Sequence, residues 1–532
     1  MKLSEIIKDC GVLSVQGNPD LEITAVTNDS RQVRPGTLFI AVNGCGNDGR
    51  AYLGKAIGNG AAAVMYEEIP DQVGDDKTSC PNDKTSCPDD KTSCPDDKMS
   101  CPDDKMSCPD DKMSCPAATG HLVTTILVSD SRKAVALAAD AFYGHPSGKL
   151  KLVGITGTNG KTTTATLLYN LFRHLGYECG LLSTIANFVG TRRSETANTT
   201  SDPVTLNRLL SEMVGAGCEY CFMEVSSIGV EQQRIAGLEF RVAIFSNLTH
   251  DHLDYHGTFA EYLRCKKLFF DGLDDTATAI INLDDKHGEV MVQNTRARVV
   301  GYSCRAAADH TARILEQSPE GMLLRIDGRE VWSRLIGAHN AYNLLAIYTS
   351  ALELGVPADE ALVALSKLEA AKGRLETLRG PKDLSVVIDY AHPPDALENV
   401  LKTLRDVAPD RELVCVFGCG GDRDKTKRPE MGAVAGRLAD RIFLTSDNSR
   451  SERTEDILED IKQGMDPAAM AKTVCIADRR EAIRTALLLA PKGATVLLAG
   501  KGHETYQILG PVKSHFDERE IVLETFKTLT SC

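Results

Sequence analysis

Apolar and polar positions follow one plan along much of this chain. A short apolar run ends in a polar cluster, and apolar positions then recur at helical spacing. Residues 151–175 show it best: "KLVGIT" is a β-branched run of strand type, and Ala165, Leu168, Leu171, Phe172 and Leu175 follow on one helix face. Gly176 suits the end of that helix. The plan returns in "CFMEVSS", "VAIFSNLTHDH" and "TAIINLDD", and later in "VVIDYAH", "LVCVFGCGGDRD", "IFLTSDNSR" and "TVLLAGKGHE". Strands alternating with helices predict a doubly wound parallel sheet, and two such blocks predict two α/β units. Ligands in such sheets sit beyond the carboxyl ends of the strands, where these polar clusters converge. A cleft between the two blocks is the natural place for chemistry.

Ahead of these blocks, residues 23–68 alternate short strands with Gly/Pro/Asp turns and one helix, and "TTILVSDSRKAVALAADAFYG" closes a first unit as strand and helix. "HPSGK" at 145–149 reads as a linker. The expected organisation is three domains, at residues 1–147, 148–372 and 373–532. Inside the first lies a tandem repeat, residues 75–116, with six copies of a seven-residue D-D-K-x-S-C-P unit, one opening with Asn82. Proline at every seventh position and the lack of an a/d apolar pair exclude a coiled coil. So little apolar surface cannot offset ordering entropy, so the repeat is expected to be an exposed, flexible insertion that is neutral for function.

Composition narrows the class. The 532 residues are 42% hydrophobic and 25% charged, as in a soluble globular protein. A net charge of −14 argues against nucleic acid and anionic membranes as main partners. No stretch approaches the roughly 20 apolar residues of a membrane span, and "MKLSEIIKDC" lacks a signal-peptide core, so the cytoplasm is the expected compartment. Of 17 cysteines, six belong to the repeat; most others fall in apolar runs, where Cys acts as a small core residue. The acidic charge and lack of an exposed apolar helix predict a monomer.

The polar clusters carry the candidate chemistry. Gly157, Thr158, Asn159 and Gly160 form a turn between strand and helix, and Lys161, Thr162 and Thr163 open the helix. Backbone N–H groups, the helix dipole and the Lys161 ammonium favour polyphosphate there. The first glycine of G-x-x-x-x-G-K-[ST] is replaced by Ile155, so the loop is a shortened form of that motif. A hydroxyl of Thr162 or Thr163, an acidic Glu224 and a neutral His252 could hold Mg²⁺ on a triphosphate.

With these residues in view, the chain resembles the Mur ligases of peptidoglycan synthesis. "GTNGKTT", "MEVSS", "NLTHDHLDYH", "GAHNAYN", "DYAHPPDAL", "GCGGDRDKTKRP", "DNSRSE" and "AGKGHETYQ" carry the resemblance, which covers all but the repeat. It implies a nucleotide-sugar-binding α/β domain, a central P-loop ATPase with a mostly parallel sheet, and a C-terminal Rossmann-like domain. It also implies a ligase that activates a carboxylate with ATP and Mg²⁺ as an acyl phosphate, then joins it to an amine. Residues 157–163 would cradle ATP, with Lys161 and His252 at the reacting centre, and Thr162, Glu224 and His252 on the metal. Lys266 matches a lysine that relatives carry as a carbamate, a further metal ligand. Asn343 would lie by the adenine, and Arg374 and Asp389 would face the nucleotide. Ser30, Cys45, Gly46, Asn47, Asn198, Thr199, Thr200, Ser226, Gln232 and Arg234 match the site for UDP-MurNAc-L-Ala-D-Glu. Arg423, Asp447, Asn448, Ser449, Arg450, Gly500 and Glu504 match the acceptor pocket. In this family an Arg at the position of Arg450 goes with meso-diaminopimelate, whose distal carboxylate it can pair; lysine offers no such group. Three positions depart from the family pattern: Ser449 replaces a proline, Ile228 a histidine, and His339 a phenylalanine.

Overall fold

The computed structural model describes residues 1–43, 48–67, 123–196, 198–249 and 253–531. The repeat at 75–116 lies outside them, as do Cys45, Gly46, Asn47 and His252. Among the described residues the first sheet comprises β1 (Val12–Gln16), β2 (Ala25–Thr27), β3 (Thr37–Ile40), β4 (Ala61–Glu67) and β5 (Thr124–Val128), ordered β1-β5-β4-β3-β2. It is parallel except for β1.

The second sheet holds β6 (Lys151–Thr156), β7 (Cys179–Leu182), β8 (Asn187–Val189), β9 (Arg192–Ser194), β10 (Tyr220–Glu224) and β11 (Val242–Phe245). It continues with β12 (Thr278–Asn282), β13 (Arg298–Ser303), β14 (His310–Ser318), β15 (Gly321–Ile326) and β16 (Arg329–Ser333). The order is β16-β15-β14-β13-β12-β11-β6-β10-β7-β8-β9, with β6 near the middle. Its central strands bury both faces, which is why they read as unbroken apolar runs. Val153 and Ile155 pack against the helices Lys161–His174 and Ala338–Glu353. Leu152 faces the opposite way, toward Pro203–Gly215 and Phe259–Asp271.

The third sheet repeats this build with β17 (Glu376–Arg379), β18 (Ser385–Asp389), β19 (Leu413–Phe417), β20 (Arg441–Leu444), β21 (Thr473–Cys475) and β22 (Thr495–Ala499), ordered β17-β18-β22-β19-β20-β21. Cys415 and Phe417 enter one core, Val414 and Val416 the other. A small hairpin, β23 (Tyr506–Leu509) with β24 (Val512–His515), follows β22.

Two features differ from the sequence expectation. Antiparallel strands extend the second sheet at both edges. The β15–β16 turn is Asp327-Gly328, both at positive φ, the two-residue hairpin that "DG" favours. The segment 145–149 is pinned at His145 and Ser147. His145 sits at φ 52° with its ring Nδ1 2.7 Å from Asp140 Oδ2, and the buried Ser147 hydroxyl accepts from Glu239 N–H. No helix among the described residues is long and apolar enough to cross a membrane.

Candidate active site

The phosphate-type loop leaves β6 between its neighbours β11 and β10, so three strand ends meet around it. Gly157 holds φ 146° and Gly160 φ 90°. A Cβ on Gly157 would fall 2.0 Å from Ser246 Oγ, so glycine is required for both conformation and space. The end of β11 braces the loop. Thr158 N–H donates to Asn247 O (2.8 Å), Asn159 N–H to Asn247 Oδ1 (2.9 Å), and Ser246 Oγ to Asn159 O (2.7 Å). The Thr158 hydroxyl meets Tyr262 OH at 3.0 Å. The Lys161 ammonium folds back on the loop, donating to the carbonyls of Gly157 (2.9 Å) and Thr158 (2.8 Å).

The register of β10 on β6 sets Glu224 opposite Ile155, beside the loop. Its buried carboxylate accepts from the Thr162 hydroxyl (2.9 Å) and from Thr184 N–H (2.7 Å). These hard oxygens suit Mg²⁺, as the donor chemistry requires. Thr163 is buried in the same helix turn. Lys266, also buried, reaches the loop from the helix Phe259–Asp271: its Nζ donates to Gly157 O (2.8 Å) and lies 4.8 Å from the Tyr262 ring centroid. Its neighbour Lys267 instead pairs with Asp271 (2.6 Å). Asn343 lies against the loop: a Cβ on Gly160 would come 2.7 Å from its Oδ1, and its Nδ2 donates to Asn340 Oδ1 (3.0 Å).

A second group of residues adjoins this loop. Thr200 accepts from Ser226 N–H and donates to Glu224 O, both at 3.0 Å, which ties "NTTSDP" to the end of β10. Arg234 donates to Thr200 O (2.6 Å) and to Gln232 Oε1, and Thr184 Oγ1 donates to Thr199 Oγ1 (3.1 Å). Thr196 Oγ1 holds the Asn198 carbonyl at 2.8 Å. Ser30 lies apart from these contacts, in a cleft of about 610 Å³ shared with Tyr52, Lys55, Asp202 and Thr205. Arg132 spans the two regions, donating to Asn43 O (3.0 Å) and Glu231 (3.2 Å). No pattern along the chain signals Arg132, because only the packing of the two regions brings its partners together.

The acceptor-type residues gather at the carboxyl edge of the third sheet. Lys501, fully buried, donates to Asn448 Oδ1 (3.1 Å), Glu504 Oε2 (3.1 Å) and Tyr506 O (2.9 Å), and pairs with Asp447 at 3.3 Å. Asn448 Nδ2 donates to Glu504 Oε2 (2.9 Å). Burial alone would raise the Asp447 carboxyl, but the Lys501 and Arg479 charges outweigh it and hold it below the usual carboxylate range. Arg450 sits at φ 51°, with Nη1 on Gly421 O (2.8 Å) and its N–H on Ile508 O (3.3 Å). That turn is firmly seated without a proline: Ser449 is buried, and its carbonyl leaves no room for a Cβ on Gly421. Gly500 (φ 111°) packs on Asp447, and Arg423 is exposed on the loop that carries Gly420.

Between the second and third sheets, Gly373 presses on the Gly502–His503 backbone, where a Cβ would come within 2.2 Å. Arg374 lies 5.0 Å over the Tyr390 ring. Both oxygens of the buried Asp389 accept backbone N–H groups, from Leu375 (2.7 Å) and Ala391 (2.8 Å), and burial raises its carboxyl against the opposing Arg374 charge.

Comparison with known proteins agrees along the whole chain. Residues 155–351 match the Mur ligase middle domain, 373–502 the Mur ligase glutamate ligase domain, and 22–81 the Mur ligase family catalytic domain. A protein of Bacteroides fragilis named UDP-N-acetylmuramoyl-L-alanyl-D-glutamate--2,6-diaminopimelate ligase is 45% identical over 527 residues, covering 99% of each chain. One of Cytophaga hutchinsonii with the same name is 44% identical over 529 residues, covering 99% of this chain and all of its own. A solved structure of a ligase of that name superposes with a TM-score of 0.67 at 29% identity, covering 100% of this chain and 99% of its own.

Proposed function

Because the chain belongs to the Mur ligase family, we propose that it joins meso-diaminopimelate to UDP-MurNAc-L-Ala-D-Glu while converting ATP to ADP and phosphate. It is an ADP-forming acid–amino-acid ligase of peptidoglycan synthesis. The observation that carries this reading is the 44–45% identity, over 99% of the chain, to relatives named for that reaction.

The chemistry needs no protein nucleophile. The free glutamate carboxylate attacks the γ-phosphorus of ATP, the bond to the β–γ bridging oxygen breaks, and ADP leaves an acyl phosphate behind. The diaminopimelate amine adds to the acyl carbon, the tetrahedral intermediate expels phosphate, and the nitrogen gives up a proton. The site's tasks are therefore alignment and charge neutralisation. In this reading the 157–160 amides, Lys161 and the helix start hold the phosphates, with Thr163 beside them. Asn343 serves the adenine side, and Arg374 and Asp389 the nucleotide at the junction. Thr162, Glu224, His252 and a carbamylated Lys266 would hold Mg²⁺, which supplies neutralisation of the phosphate charge when bound. The oxygen donors of Thr162 and Glu224, 2.9 Å apart, fit that ion.

Ser30, residues 45–47, Asn198, Thr199, Thr200, Ser226, Gln232 and Arg234 take the UDP-sugar dipeptide. Arg450 pairs the distal carboxylate of diaminopimelate, Glu504 takes its distal ammonium, and Arg423, Asp447, Asn448, Ser449 and Gly500 complete the pocket. The reading includes action in the cytoplasm as a monomer, with boundaries near residues 147 and 372. Phosphate release from ATP and Mg²⁺ with UDP-MurNAc-L-Ala-D-Glu tests it. Release with meso-diaminopimelate and not with L-lysine is expected; release with lysine instead would overturn the role given to Arg450.

A further inference from the structure

The acceptor pocket rests on two separate strand ends, and this inference builds on the ligase reading above. Asp447 to Arg450 follow β20, and Gly500 to Glu504 follow β22. In the sheet those strands are not neighbours, because β19 lies between them. Each strand pairs with β19, so no ladder joins the two halves of the pocket directly, and Lys501, Asn448 and Glu504 tie them together at their outer ends. A side chain from behind ties them at their bases. Arg479, the first residue of the helix Arg479–Leu489, is completely buried. Its Nη1 donates to Ser446 O (3.2 Å) and its Nη2 to Ala499 O (2.7 Å). Those carbonyls belong to the residues immediately before Asp447 and Gly500.

The guanidinium is itself held. Its Nε donates to Glu518 Oε1 at 2.8 Å, and Nη2 lies at the same distance from that oxygen. Glu518, the first residue of the C-terminal helix, is also completely buried, and among the described residues its Oε2 has no hydrogen-bond partner. A buried ion pair is a poor device for stability alone, since well-packed apolar residues commonly do as well. A planar fork with fixed donor directions can hold two carbonyls at a set separation, which a flexible ammonium cannot.

We propose that Arg479, oriented by Glu518, is a positioning residue for the acceptor amino acid: by spanning β19 it fixes the separation of the Asp447–Arg450 and Gly500–Glu504 segments. It does not touch the acceptor. Its loss displaces pocket groups on the scale to which binding and alignment are sensitive.

The test is steady-state kinetics on the full chain with Arg479→Lys and Glu518→Gln, measuring KM for each of the three substrates and kcat. Arg479→Lys raises KM for diaminopimelate by about tenfold or more and leaves those for ATP and the UDP substrate within about twofold. Glu518→Gln keeps the guanidinium and raises the same KM by a smaller factor, about threefold. A purely structural role lowers the melting temperature and the active fraction without singling out one KM. A folded Arg479→Lys with an unchanged diaminopimelate KM, or with all three KM values rising together, overturns the proposal. If that variant does not fold, Glu518→Gln decides by the same criterion. The unsubstituted protein, run alongside, separates the two readings. Its failure to use diaminopimelate would sink the ligase reading, whereas turnover with unmoved variant KM values sinks only the positioning role.

Discussion

At the scale of single residues, geometry assigns work that residue type alone leaves open. Gly157 is the sharpest case: its φ of 146° and the 2.0 Å approach of Ser246 to any added Cβ leave one residue type that fits. Gly157→Ala is expected to weaken ATP binding by at least about tenfold in a fold that otherwise persists, since the strain is confined to one loop. Calorimetric titration with ATP checks this, and an unchanged affinity would contradict the role given to the loop. Lys266 and Lys267 are indistinguishable as letters, but burial against Gly157 O separates the first from the second, which pairs with Asp271. Lys266→Ala is expected to lose at least about 10²-fold in kcat, the scale of removing one preorganised electrostatic group. Millimolar formate or acetate should restore part of that loss, because a small carboxylate can stand in for a carbamate. Full activity of the alanine variant would exclude the role.

At the scale of elements, helix starts and strand ends are locked together by buried charges. Arg428, fully buried in the helix Lys427–Leu438, donates to both oxygens of Glu452 (3.0 and 2.8 Å), to Asp460 (2.8 Å) and to Gly420 O (3.2 Å). This joins the loop after β19 to the segment after β20. Hydrogen bonds from Arg428 hold the Glu452 carboxyl down at about 2. A carboxyl with a depressed folded pKa contributes stability that is fully present above its unfolded value, near 4.5, and lost as pH falls toward 2. Glu452→Gln should therefore melt below the parent protein at pH 6, and the gap should close between pH 4.5 and 2. Melting curves across that range test it; a gap independent of pH would show that the carboxylate charge is not what stabilises. The Asp327-Gly328 hairpin teaches the converse lesson at this scale. Its turn signal is local and lies in the letters themselves, whereas its place at the edge of a mostly parallel sheet is set by tertiary pairing.

At the scale of the whole molecule, parallel pairing of β4 with β5 places the end of β4, Glu67, and the start of β5, Thr124, at opposite ends of the first sheet. The intervening chain has to cover a strand's length, roughly 20 Å. Residues 68–74 and 117–122 alone would reach roughly 40 Å when extended. Removing 75–116 therefore leaves enough chain to close the sheet, and the deletion protein is expected to keep kcat and all three KM values within about threefold, since loop length weighs weakly on stability. Loss of activity in a folded deletion protein would show that the Cys-rich repeat takes part in function.

The sequence by itself determined the class of fold, the family and the residue types of the site. Those properties reside in local patterns: the period of apolar positions, glycines at a tight turn, and clusters such as "GTNGKTT" and "GKGHE" placed at strand ends. It also singled out Arg450 as the candidate for selecting the acceptor. What the tertiary structure decided were relations between segments far apart in the chain. The order β22-β19-β20 places β19 between the Asp447–Arg450 and Gly500–Glu504 segments, and Arg479 bridges the carbonyls just before each. The bracing of Gly157 by Ser246, the burial of Lys266, and the left-handed seating of Arg450 without a proline arise in the same way. Each depends on which strands become neighbours and which side chains are shut away from water, and no periodicity along the chain encodes that.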